Sequence, residues 1–149
     1  MPVDRSVLGK EYPPFVYEVE KGKIRELAEA LEDPNPLYRD EKVARSTKYG
    51  GLIGSPTFLT CFRSPDWSML DLIKDLKADI GKLLHGEQEY EYFRPIRPGD
   101  KLTCKLKIKD IYTKEGKAGA MDMVVTETDY VNDKGELAAR ARAVLVIRS

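Results

Sequence analysis

Asp33, Asn35 and Tyr38 fall within six residues of a proline-studded segment, Asp33-Pro34-Asn35-Pro36-Leu37-Tyr38. A carboxylate can position a water molecule, but it becomes a useful base only where burial raises its pKa. A phenol, with an ordinary pKa near ~10, cannot do at neutral pH what an imidazole near ~6.5 does. The plainer reading is that Asp33 and Asn35 cap backbone N–H groups in a helix–loop turn, as such side chains often do. A second candidate is Gly50-Gly51-Leu52-Ile53-Gly54-Ser55-Pro56. Serine followed by proline is a good helix start, and N–H groups at a helix start suit developing negative charge. Pro56 has no N–H, so Gly54, Ser55 or Thr57 would donate; the alternative is an ordinary glycine-rich entry with a serine cap. The Gly-x-x-x-x-Gly-Lys pattern of a phosphate loop is absent. His85 is the single histidine, and it lies far along the chain from Asp33. There a histidine bonded to backbone is commoner than a base.

The elements that must position these residues follow from periodicity. Phe15, Tyr17 and Val19 alternate with neighbours after Pro13-Pro14 and predict a short strand. Ile24, Leu27, Ala28 and Leu31 lie on one face of a helix. The prolines at 34 and 36 end it and leave the Asp33–Tyr38 segment in a loop. A short helix is expected over Asp40–Ser46, and a buried one from a Ser55 cap through Thr57–Phe62. Met69, Leu70, Ile73, Leu76 and Ile80 keep a helical period. From Leu84 the period changes to two: Tyr90 and Tyr92 oppose Glu89 and Glu91, and Leu102–Ile108 alternate with Lys101–Lys109 on a wet face. Met121–Val125 and Leu137–Arg148 predict two more strands, the last with Ala139, Ala141 and Ala143 on one face, where a helix can lie close. One strand, helices, then several antiparallel strands make an α+β layer architecture.

Length and charge narrow the classes. At 149 residues the chain holds one domain, residues 1–149, with a proper core. Basic and acidic residues balance at 25 each, which gives no reason to expect nucleic acid or an acidic membrane as partner. The absence of a long apolar run or an apolar signal core points to a cytoplasmic protein. Cys61 and Cys104 are isolated, which argues against zinc and, in a reducing cytosol, against a disulfide.

Asp33–Tyr38 resembles the Asp-x-Asn-Pro-x-His signature of the MaoC-like (R)-specific enoyl-thioester hydratases and 3-hydroxyacyl dehydratases. The resemblance extends to the Gly50–Pro56 loop, to His85-Gly86-Glu87-Gln88-Glu89-Tyr90, and to Phe93-Arg94-Pro95-Ile96-Arg97-Pro98-Gly99-Asp100. The last is similar to the family's Pro-x-x-x-Gly-Asp turn, and together these segments span almost the whole chain. The resemblance implies a hot-dog fold, a curved antiparallel sheet wrapped around a central helix. Such domains pair edge to edge, with the active site between subunits.

The resemblance also implies reversible water addition to a 2-enoyl thioester, with neither metal nor redox cofactor and with acyl-CoA or acyl-phosphopantetheine as substrate. In the family the Asp and His hold and deprotonate the water, and the thioester carbonyl lies near the residues matching Gly51, Gly54, Ser55 and Thr57. Tyr38 stands where the family has histidine. The chain is similar in this to the dyad-lacking subunit of heterodimeric dehydratases, whose activity requires a partner bearing Asp and His. Two readings remain beside it: an autonomous hydratase using Asp33 with Tyr38 orienting water, and a non-catalytic acyl-CoA-binding hot dog. A thioesterase fits less well, because the matching segments are of the hydratase type. Lys42, Arg45, Lys48, Arg94 and Arg97 could meet the phosphates of the carrier, and Met69, Leu70, Ile73 and Leu76 could line an acyl channel. The blander readings are a solvated charged face and a core stripe.

Overall fold

The computed structural model describes residues 2–117 and 119–148. Five strands form one antiparallel sheet in the order β1-β3-β4-β5-β2, with β1 Phe15–Glu18, β2 Leu83–Tyr92, β3 Lys101–Gly116, β4 Gly119–Val131 and β5 Leu137–Arg148. Three helices, α1 Lys21–Ala30, α2 Glu41–Arg45 and α3 Met69–Asp75, precede the four long strands. This is the α+β arrangement that the periodicity predicts. Its edge strands, β1 and β2, come from opposite sides of the helical segment.

Period-two patterning divides the sheet into two faces. On β5, Ala139 and Ala141 join the core cluster that holds Ile24, Ala28, Tyr38, Phe58, Leu59 and Phe62. Further along, Leu145 and Ile147 meet Leu72 and Leu76 of α3. Val144 and Val146, between them, pack on the other face with Met121, Met123 and Val125. Ala139 and Ala141 share this cluster with the Phe58 ring of a 3-10 turn, where their row in the sequence, with Ala143, predicted a helix. Leu72 and Leu76 belong to a cluster with Ile108 and Val124, separate from the one containing Tyr38, while Met69 and Leu70 are exposed.

Two expected helices are shorter than their periodicity suggests. The segment after Ser55 forms only a 3-10 turn, Phe58–Cys61, with Thr57 in place of Ser55 at its N-cap position and no side-chain cap bond. Between Pro56 and Pro65 too few residues remain for a costly helical nucleus to be repaid, and the residue before Pro65 is driven to extended backbone. The turn is nevertheless deeply buried, with Phe58 wholly out of solvent. α3 stops at Asp75 because Lys77 takes a left-handed conformation, φ 52°, and the Ala78 N–H closes on the Ile73 carbonyl at 3.1 Å.

The segment before β1 is clasped to the far end of the sheet. Asp122 on β4 accepts from the Val3 N–H at 3.0 Å and the Thr113 hydroxyl at 2.8 Å, with Arg5 at 3.5 Å. Burial alone pushes the Asp122 carboxyl up, but these donors outweigh it and hold the group below its ordinary value. A depressed carboxylate contributes stability above its unfolded pKa and loses it as pH falls through the folded value. The clasp should therefore weaken below about pH 4. Urea unfolding at about pH 7 and about pH 3 should show a smaller acid-induced loss in Asp122→Asn than in the wild type. Equal losses would show that this carboxylate does not contribute to acid sensitivity.

Candidate functional site

Asp33 is delivered by the end of α1. Glu32 sits in the left-handed region at φ 54°, its N–H bonds the Glu29 carbonyl at 3.0 Å, and the Asp33 N–H bonds the Ala28 carbonyl at 2.8 Å. This paired closure ends the helix at Ala30, with three residues left before Pro34, and fixes the direction in which Asp33 leaves it. A non-glycine residue in that conformation costs about 1–2 kcal/mol, a local strain sited next to the candidate carboxylate. Three side-chain caps then shape the loop. Asp33 Oδ1 accepts from the Asn35 N–H at 2.9 Å, Asn35 Oδ1 from the Leu37 N–H at 3.0 Å, and Asp40 Oδ1 from the Lys42 and Val43 N–H groups at 2.9 and 3.2 Å. Asn35 thereby caps the 3-10 turn Pro36–Tyr38. The second oxygen of Asp33 bonds no protein group among the described residues.

Tyr38 turns inward from that loop and is 8% exposed, within the cluster of Phe58 and Ala139. Burial first, then the negative charge of Asp33 and the neighbouring Tyr49 phenol, raise its pKa above the ordinary value for tyrosine. The phenol therefore stays protonated through the neutral range. It can donate a hydrogen bond, and it cannot take a proton from water as a neutral imidazole would.

Tyr92, at the end of β2, links the loop to the glycine-rich segment. Its pKa too is raised, chiefly by burial and then by the Tyr90 and Tyr38 phenols, and its hydroxyl donates to the Pro56 carbonyl at 2.6 Å. In the segment itself, the Gly54 N–H is taken by the Ile96 carbonyl at 2.8 Å. Among the described residues the Gly51, Ser55 and Thr57 N–H groups have no protein acceptor, and Ser55 is buried. Gly54 has a packing role: a Cβ there would stand 2.8 Å from the Phe58 ring. Gly51 meets no such limit. The Ser55 hydroxyl is the one buried side-chain polar atom among the described residues without a protein partner. A buried group of that kind costs free energy unless it finds a partner.

His85 is held elsewhere. Its Nε2 lies 3.0 Å from the Glu87 carbonyl, which can only accept, so that nitrogen carries the proton. Seven residue steps along β2 separate it from Tyr92, on the order of 23 Å at ~3.3 Å each. It sits beside Gly86, where the register of β2 shifts and a Cβ would lie 2.7 Å from Val146. The basic residues divide in the same way. Arg94 pairs with Glu136 at 2.7 Å, Arg97 donates to the Tyr49 carbonyl, and Lys48 lies over the Tyr49 ring. Lys42 and Arg45, by contrast, line an open cleft with Arg25 and Arg39, two arginines that pattern reading along the chain did not single out. A second concavity lies by Asp122 and Ile147 at the N-terminal clasp. Neither concavity takes in Asp33, Tyr38 or Ser55. Among the described residues no helix is long and apolar enough to cross a membrane.

Residues 6–141 match the family model described as FAS1-like, dehydratase domain region. A UPF0336 protein of Saccharopolyspora erythraea is 35% identical over 149 residues, covering 99% of this chain and 93% of its own. Among solved structures, the C-terminally truncated HadBC (3R-hydroxyacyl-ACP dehydratase) complex of Mycobacterium tuberculosis is similar. It matches at TM-score 0.75 and 27% identity, over 94% of this chain and 96% of that one. The MaoC-like dehydratase of Rhodospirillum rubrum matches at TM-score 0.66 and 25% identity, over 94% and 91%. With this sheet order, this buried central turn and these matches, the chain belongs to the FAS1-like dehydratase-region family and is a hot-dog protein of the MaoC-like hydratase and dehydratase kind.

Proposed function

We propose that this chain is the dyad-deficient subunit of a heterodimeric (3R)-hydroxyacyl-thioester dehydratase, working in the cytoplasm on intermediates of fatty-acid type. The observation that carries this reading is Tyr38: a buried, protonated phenol beside Asp33, where the MaoC-like signature has histidine. Hydration needs a base to take a proton from water as its oxygen bonds the β-carbon. It also needs a proton for the α-carbon and donors for the charge that gathers on the thioester oxygen. Asp33 and a protonated Tyr38 do not make that base at neutral pH. The partner chain supplies Asp and His, and this chain supplies wall and scaffold. Similarity to a chain of the HadBC complex supports the pairing. Neither a metal nor a redox cofactor is needed for the reaction.

The rival that one observation favours is an autonomous hydratase, since one Asp33 oxygen is uncommitted. Co-expression with a chain bearing histidine in the signature, followed by crotonyl-CoA hydration assays of each chain alone and together, separates the two. Turnover by the pair, or by the partner, with none from this chain alone is the expected result. Robust turnover by this chain in rigorously pure form would refute the proposal.

A further inference from the structure

The sheet leaves two strand edges open, and they differ. β1, at one edge, is four residues long, short enough to offer little to another chain. β2, at the other, runs ten residues without proline, pairs only with β5, and is exposed at Leu84–Glu89 and at Glu91. Beyond the irregularity at Gly86, its register with β5 is unbroken from Glu87 to Tyr92. The backbone groups on its outer side meet no strand of this chain, and such a row is a template for a strand from elsewhere. Tyr90 and Tyr92 pack against the core cluster, so Glu87, Glu89 and Glu91 share the opposite face. On β5, Arg142 stands opposite Glu89 and Arg140 opposite Glu91. Both arginines are engaged elsewhere, Arg140 by Asp129 at 2.6 Å and Arg142 by Glu87 at 2.9 Å. Glu89 and Glu91 form no ion pair among the described residues.

A second copy of this chain, added here by two-fold symmetry, would pair antiparallel with like faces side by side. The axis then falls on a residue, which faces its own copy. With the axis on Glu89, Glu89 meets Glu89 and Glu87 meets Glu91. With it on Gln88, Glu87 meets Glu89; on Tyr90, Glu89 meets Glu91; on Glu87 or Glu91, that residue meets itself. Every such register sets carboxylate against carboxylate, and like charges directly opposite are destabilising. We propose that the β2 edge takes the edge strand of a different chain, one whose matching row is basic, and that Glu87, Glu89 and Glu91 keep this chain from pairing with itself. Lysine or arginine in that row would meet Glu89 and Glu91, the two acids left without a cation. The inference rests on the heterodimer reading above and names the edge and the charges that select the partner.

The test is sedimentation equilibrium of the full chain, alone and in equimolar mixture with the triple variant Glu87→Lys, Glu89→Lys, Glu91→Lys. The triple variant Glu87→Gln, Glu89→Gln, Glu91→Gln measures self-pairing without a reversed charge. The double variant Glu26→Lys, Glu29→Lys, at exposed positions of α1, controls for net charge. Each opposed like-charge pair weakens association about twofold to fivefold, and two together roughly tenfold. The Gln variant should therefore self-associate about tenfold more tightly than the wild type. The wild type should bind the Lys variant at least about tenfold more tightly than it binds itself. Salt at about 1 M should narrow both differences. A Gln variant no tighter than wild type, no gain with the Lys variant, or an equal gain with the α1 control would overturn the inference. With the co-expressed chain bearing histidine in the signature, the Lys variant should pair about tenfold or more weakly than the wild type. Equal pairing there, with hydration intact, would mean that the glutamates only guard the edge, and fails the strand inference alone. Charge-dependent pairing by a complex that hydrates nothing fails the dehydratase reading alone.

Discussion

Replacing Tyr38 with histidine should raise crotonyl-CoA hydration by the purified chain about 10²–10⁴-fold over the wild type, the range a well-placed general base contributes. The phenol is buried next to Asp33 and held protonated. An imidazole there would titrate near ~6.5 before the carboxylate shifts it, close to the operating pH. Asp33 keeps one oxygen free to orient it, and the Ser55 and Thr57 N–H groups have no protein acceptor, among the described residues, on the turn that Tyr92 clasps. Circular dichroism and an unfolding curve would establish that the variant is folded. A folded variant no more active than wild type would show that residue 38 is not the missing part, and that the amides or the acyl wall are deficient as well.

The second large effect concerns stability. Phe58 is wholly buried, packs edge-on against Phe62 at 5.6 Å between ring centres, and lies too close to Gly54 for a Cβ there. Phe58→Ala should cost about 3–5 kcal/mol, the usual range for removing a buried aromatic ring from a tight core. Urea unfolding measures it, as a lower midpoint with little change in slope. A loss below about 1 kcal/mol would mean that the central turn closes over the gap and is not the keystone of the Tyr38 cluster. The backbone bond from the Phe58 N–H to the Ser55 carbonyl, 2.9 Å, is kept in this variant, so the loss measures the ring's packing.

The sheet was largely legible along the chain. Alternation at Phe15–Tyr17, Leu102–Ile108 and Leu137–Ile147 marks residues that lie in β1, β3 and β5. The short helix expected over Asp40–Ser46 is present as Glu41–Arg45, with Asp40 and Ser46 as its caps. What escaped depends on contacts between distant segments. The end of α1 is set by Glu32 in a left-handed conformation, without the glycine that would announce it. The central segment keeps an apolar pattern but is too tightly bounded by prolines to become an α-helix. Arg94 and Arg97 look free in the sequence and are engaged by Glu136 and the Tyr49 carbonyl. Arg25 and Arg39 look unremarkable and meet at a cleft, because Arg25 of α1 reaches Glu41 of α2 and the Arg39 carbonyl only after the loop between them has turned.

Asp33 and Asn35 show how a structural and a functional role can share residues. Both side chains cap N–H groups, as the plainer reading expects. The same caps aim Tyr38 into the core and leave one Asp33 oxygen uncommitted. Capping alone therefore does not separate a vestigial site from a working one, whereas the charge on Asp33 does.

Asp33→Asn, introduced into this chain within the reconstituted heterodimer, is the most direct test. Asparagine keeps an oxygen for the Asn35 N–H, removes the negative charge and turns the uncommitted oxygen into an NH2 donor. Turnover of crotonyl-CoA within about twofold of wild type is the predicted result, since the base belongs to the partner. A fall of about 10²-fold or more, the cost of losing a true general base, would contradict the account and return catalysis to this chain.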